Sequence, residues 1–390
     1  MSLSARNWAW ETDNRPRIAT DPPAGSEDVP WLPLTPAEKL VLLCLAELES
    51  AAEGYAYPSY ARIARRTCLN VRTVQRVVKV LGESGLVHVA RDRRHLWKLG
   101  AEIRYPWLED GRSMGMAEHT AIRRDYLPEE YRRDSALHNV VATVHVEADT
   151  DHAGGSLAET RWLHEIAAQH AMPDAVVAHA WVDTDDADEQ LSAQSAFPLV
   201  RGIRSKPVTS SAPGEVLSDR RRTLHDDRWL DGLGLLTKHG LTYDLRVPWW
   251  HLREAVEIPR RHPTLPIALE HAGCPWDRDP HSLRQWRHGL EALAEHPSVH
   301  CKISFLLRPG HPWLAEDNLS LIADVISIFG YERCMFASNY PVDGLRASWD
   351  RLFLTYKHSI RDRPEPERRA LLGGNAARFY RIERGYPDER

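Results

Sequence analysis

The chain has 390 residues, a formal net charge of −5 and 43% hydrophobic residues, enough for a small domain and one of roughly 250 residues, each with its own core. The five cysteines are scattered without CxxC spacing, which excludes a disulfide framework and a structural zinc knuckle and suits a reducing cytoplasm. No apolar run reaches the roughly 20 residues of a membrane span, and MSLSARNWAWETDNRPR lacks the hydrophobic centre of a signal peptide, so a soluble, non-exported protein is expected.

Charge is unevenly placed. From Tyr60 to Arg104 there are eleven Lys or Arg against three acids, inside a chain that is acidic overall. A basic module on an acidic body is the pattern of phosphate-backbone binding by the module alone.

Residues 1–33 carry five prolines among polar residues and read as a flexible arm. A domain spanning 34–100 follows. Thr35-Pro36-Ala37-Glu38 is a capping box, with Thr35 as N-cap and Glu38 reaching back, and it opens a buried helix that Gly54 ends. A second helix runs from Ser59 to Thr67. Asn70 caps a third, whose Val74, Val77, Val78 and Leu81 form one apolar stripe. Arg72, Gln75, Arg76 and Lys79 occupy the opposite face, and these side chains reach base edges and phosphates from a helix in the major groove. Two short apolar runs, 86–90 and 95–99, flank the basic tip Arg91-Asp92-Arg93-Arg94 and make a wing. The stretch resembles the winged helix-turn-helix domains of bacterial regulators, which implies DNA as a partner.

Residues 101–384 alternate short apolar strands with helical patterns: HNVVATVHVEA, AVVAHAWV, FPLVRGIRSK, LTYDLRVP, LPIALEHAG, SVHCKISF and RCMFASNYP. Seven or eight such repeats predict an α/β protein with a (β/α)8 TIM-like barrel whose chemistry lies at the C-terminal ends of the strands. In the first of these strands Val140, Ala142, Val144 and Val146 read as the outer apolar face, leaving Thr143, His145 and Glu147 inward. His179, Arg204, His271, Lys302, Asn339 and Asp343 lie at or just past later strand ends.

RRDYLPEEYR, HNVVATVHVEA, ETRWLHEIAAQH, FPLVRGIR, VPWWHL, ERCMFASNYPVD and GGNAARFYRI, together covering about 280 residues of pattern, resemble amidohydrolase-related barrels of the group that includes sugar-acid lactonases and dicarboxylate lactone hydrolases. The resemblance implies a hydrolase, working with a divalent metal (zinc or manganese) or without one, in which water attacks a lactone or related carbonyl. His271 or Asp343 would be the general base, Arg204 and Lys302 would hold a substrate carboxylate or stabilise the oxyanion, and Trp249, His251 and Asn339 would bind substrate. A metal would use His95, Glu147 and His179.

Two departures from the family pattern stand out. Its first strand carries an HxH pair, but here Arg93 precedes His95, and a guanidinium cannot ligate a cation. Asn339 stands where many relatives place an acid, with Asp343 four residues on. Residues 95–99 are also wanted both as second wing strand and as first barrel strand. Either the domains share the strand, or the barrel has seven strands and an open edge prone to pairing with other chains, as in a homo-oligomer. The alternative to an enzyme is a DNA-binding regulator whose weakened barrel senses such a ligand.

Overall fold

In the computed structural model the chain divides into two compact units, 1–95 and 96–390. The residues described are 13–16, 21, 31–48, 60–84, 105–109, 122–150, 157–217, 219, 221–308, 311 and 313–383. The expected wing, Arg93 and His95 therefore lie outside the described residues, and so does the strand expected at 95–99.

Three helices pack together in the first unit: α1 (Pro36–Leu48), α2 (Tyr60–Thr67) and α3 (Val71–Glu83). The capping box forms as expected. The Thr35 N–H donates to Glu38 Oε2 at 2.7 Å, and the Glu38 N–H donates to Thr35 Oγ1 at 3.3 Å. Asn70 caps α3 by accepting the Thr73 N–H at 2.8 Å. The chain reaches that cap through Cys68, whose φ of 56° makes the left-handed turn between α2 and α3 without a glycine. Val41, Leu42 and Cys44 of α1 meet Ile63 of α2 and the α3 stripe in one core. Leu40 is 45% exposed, because α1 turns Val41 and Leu42 into the core instead. Inside the segment read as an arm, β1 (Asn14–Pro16) pairs antiparallel with β2 (Trp31–Pro33).

Seven parallel strands make the second unit: β3 (Val144–Val146), β4 (Ala175–Ala178), β5 (Val200–Ile203), β6 (Thr242–Leu245), β7 (Ile267–Leu269), β8 (Val299–Ile303) and β9 (Cys334–Phe336), paired in sequence order. Helices separate them, the longest being α4 (Leu157–His170), α5 (Pro280–Ala294), α6 (Glu316–Phe329) and α7 (Trp349–Ser359), with the short α8 (Asn375–Phe379) near the end. Side chains of β3, β4, β7 and β9 meet in one cluster with Phe379 and Tyr380, although most of these strands are not sheet neighbours. Only a sheet curled around a common axis brings them together, so the unit is a barrel of the (β/α)8 type. Tyr380, fully buried, plugs its interior.

The face assignment of β3 is corrected by this packing. Val144 and Val146 join the interior cluster, whereas His145 places Nε2 3.5 Å from Glu159 Oε1 on the outer helix α4. Alternation separates two faces without saying which is the lumen, and the lower part of this lumen is as apolar as the outer face.

Candidate active site

Strand ends converge on one mouth, and backbone strain is concentrated there. Asp149, His271, Phe305 and Asn339, which follow β3, β7, β8 and β9, have φ of 56°, 56°, 49° and 48°. After β7 the left-handed run continues through Ala272, Gly273 and Cys274, at 50°, 69° and 51°. Each non-glycine residue so placed costs about 1–2 kcal/mol, a strain that persists where the surroundings over-determine it. Here the Trp286 Nε1–H donates to the Ala272 carbonyl at 2.7 Å, and a Cβ on Gly273 would come 2.8 Å from Leu252.

Beneath the mouth runs a buried chain of alternating charge. The Arg204 Nε donates to Glu147 Oε1 at 2.6 Å, its Nη1 to Glu270 Oε2 at 2.8 Å and its Nη2 to the Glu147 carbonyl. The Lys302 ammonium donates to Glu270 Oε1 at 3.1 Å and to Asp244 Oδ2 at 2.5 Å, and Asp244 also accepts the Tyr380 hydroxyl at 2.9 Å. Burial alone would raise the carboxyls. Arg204 outweighs it at Glu147, and Arg204 with Lys302 holds Glu270 well below the carboxylate range. At Asp244 burial prevails and its carboxyl is raised. Lys206 pairs with Asp149 and lies 3.9 Å from Glu147.

A guanidinium has five N–H donors and an ammonium three. The bonds above occupy three on Arg204, which leaves it with donors to spare, whereas the Lys302 ammonium is shared among Glu270, Asp244 and Tyr380. Arg204, Lys302, Glu270, His271, Ser304 and Asn339 line one cavity of about 580 Å³, as do Lys206 and Arg246.

The two residues expected as alternative bases meet at one step of chain. His271 Nδ1 is 2.9 Å from Ser304 Oγ, and Asp343 Oδ2 accepts the N–H of the next residue, Phe305, at 3.2 Å. Their environments differ. Burial lowers His271 to about 3, so its imidazole is neutral at neutral pH. Burial raises Asp343 to about 7, against the donors Asn339 and Phe305. Asp343 is 1% exposed and its other oxygen, Oδ1, accepts the Asn339 Nδ2–H at 2.9 Å.

Trp249 and His251 stand apart from that cavity. The Trp249 Nε1–H donates to Asp277 at 2.9 Å, and His251 is held between Ser210 Oγ at 2.9 Å and Glu254 Oε2 at 3.0 Å, so both brace the loops that follow β5, β6 and β7. His179, past β4, is close enough to favour ionised Glu147.

Of the residues expected to hold a metal, His95 lies outside the described residues, Glu147 is committed to Arg204, and among the described residues no three His, Cys, Asp or Glu side chains converge.

Sequence reading missed Asp244, Glu270 and Arg246. The signal was present for the two acids: each interrupts or ends an otherwise apolar strand, TYDL and IALE, and a carboxylate buried there must be paired.

Residues 93–382 match the amidohydrolase family model and residues 32–87 a helix-turn-helix domain. The chain is 31% identical over 283 residues to an L-fucono-1,5-lactonase of Burkholderia ambifaria, covering 69% of this chain and 90% of that protein. It is 33% identical over 289 residues to an uncharacterised protein of Sinorhizobium fredii, covering 74% and 96%. An amidohydrolase from Burkholderia multivorans, solved with bound zinc, superposes with a TM-score of 0.60 at 27% identity, covering 71% of this chain and 94% of its own. The barrel, its charged mouth and these matches together place the chain in the amidohydrolase family, with a helix-turn-helix domain ahead of the barrel.

Proposed function

We propose that the barrel opens a lactone by water attack. The observation that carries this reading is one cavity lined by His271, whose Nδ1 is 2.9 Å from Ser304 Oγ, by Arg204, a braced cation with donors to spare, and by the paired Lys302. His271 takes a proton from water as the water oxygen adds to the lactone carbonyl carbon. Negative charge then develops on the carbonyl oxygen, where fixed N–H donors are worth most. Collapse breaks the bond from that carbon to the ring oxygen, and the imidazolium returns its proton to the departing alkoxide, leaving an open hydroxy acid. Asn339 contributes a polar contact to the same cavity.

Asp343 is set back from that cavity with both oxygens occupied, which favours His271 as the base. Arg204 and Lys302 are already paired with Glu147, Glu270 and Asp244, which favours a neutral, hydroxyl-rich sugar lactone over a dicarboxylate, and the likeness to a lactonase supports the same class. A panel of aldono-1,4- and aldono-1,5-lactones beside a dicarboxylate lactone tests this. The expected result is turnover of a sugar lactone that His271→Ala abolishes. Equal turnover by that variant, or none by the native protein across the panel, would sink the reading.

A regulatory reading rests on α3, where Arg72, Gln75, Arg76 and Lys79 are all exposed. On it the first unit binds duplex DNA, and the barrel's ligand alters that affinity through a difference between two states.

A further inference from the structure

We infer that Asp343 is a positioning residue that works through Asn339, with no direct action on water; this rests on the lactone-opening reading above. Asp343 ties two strand ends together. Its Oδ2 accepts the Phe305 N–H past β8, and its Oδ1 accepts the Asn339 Nδ2–H past β9, while the Asp343 N–H donates to the Asn339 carbonyl at 3.1 Å. Asn339 is the member of the pair that lines the cavity. Because the amide is planar, committing Nδ2 to the carboxylate leaves Oδ1 for the cavity. That adds an acceptor to a wall otherwise rich in donors from Arg204, Lys206, Arg246 and Lys302. An acceptor there suits a substrate hydroxyl or the second proton of the attacking water.

The same pairing explains why the acid expected at the end of β9 is an amide in this chain. A carboxylate at 339 would lie 2.9 Å from Asp343, and two carboxylates at that distance share one proton. The titratable groups facing Asp343 are Tyr340 of its own loop and Tyr356 of α7, both phenols pushed up and neutral. Asp343 is therefore oriented by hydrogen bonds, with no ion pair among the described residues.

A double-mutant cycle on the full chain tests the inference, using kcat/KM for the best sugar lactone with native protein, Asn339→Ala, Asp343→Asn and the double variant. Each single change is expected to lower kcat/KM on the order of 100-fold, as misplacement of a reacting group does, and the double variant should be no worse than Asn339→Ala. Losses that multiply, or a mild Asn339→Ala beside a severe Asp343→Asn, would overturn it, since Asp343 would then act directly. Asn339→Asp adds a readout that a merely structural role would not move: the acid limb of the pH profile should shift to higher pH. An unmoved limb counts against the pairing. Calorimetric binding of an open-chain aldonic acid to the same four proteins gives the cycle again without turnover. Non-additive binding losses there would uphold the pairing even where the lactonase reading fails, and additive losses would refute it.

Discussion

His271 and Asp343 carry opposite pH signatures, and each can be read in stability. His271 has an ordinary value of 6.5 and a folded value of about 3, so between these the unfolded chain binds the proton and the folded chain does not. That contribution is complete above 6.5 and is lost as pH falls toward 3. Asp343 is raised from 3.8 to about 7. The folded state holds its proton across that window, so its contribution is complete below 3.8 and is lost as pH rises through 7. Melting temperatures at pH 4, 6 and 8 should show His271→Asn less sensitive to acid than the native chain and Asp343→Asn losing less stability than the native chain as pH rises from 4 toward 7. Curves parallel to the native one would show that neither group titrates as its burial implies. What made these two residues legible in sequence was their position past the ends of apolar strands; what hid their different exposure to the cavity was that it is set by neighbours such as Phe305, which reaches Asp343 from the adjacent strand end 38 positions away.

At the scale of elements α3 is the clearest case of sequence deciding structure. The cap at Asn70, the stripe Val74, Val77, Val78 and Leu81, and the exposed face of α3 all follow from the period of a helix. Arg72→Ala with Arg76→Ala should weaken duplex binding by more than about tenfold at modest salt and flatten its dependence on salt, because phosphate contacts release counterions. Fluorescence anisotropy with a labelled duplex at several salt concentrations measures both quantities. Native-like affinity in that variant would move the DNA reading off α3. Strand β3 shows the opposite case, since Val144 and Val146 turned inward against expectation while His145 found Glu159 on α4.

For the molecule as a whole, the chain Glu147, Arg204, Glu270, Lys302, Asp244 and Tyr380 links β3, β5, β7, β8, β6 and the segment after α8. Glu270 is its hub, since both cations bond to its carboxylate. Glu270→Gln leaves Arg204 and Lys302 each short of a charged partner inside the barrel, a loss of about 3–5 kcal/mol by analogy with other broken buried pairs. Thermal unfolding should show a drop of many degrees. A variant within a degree of the native protein would mean that the network is not what holds the strand ends.

By itself the sequence determined two compact units, a three-helix helix-turn-helix pattern with its caps, and seven strands starting within a few residues of where they stand, because caps, helical stripes and strand alternation are local and repeat along the chain. Tertiary structure alone decided which face of β3 is the lumen, that Glu270 and Asp244 answer Arg204 and Lys302, and that Asn339 stands before Asp343 at the cavity. The ion pairs join residues 32 to 66 positions apart, and the physical reason is that closing the barrel, which no local pattern encodes, fixes which distant groups share one low-dielectric space.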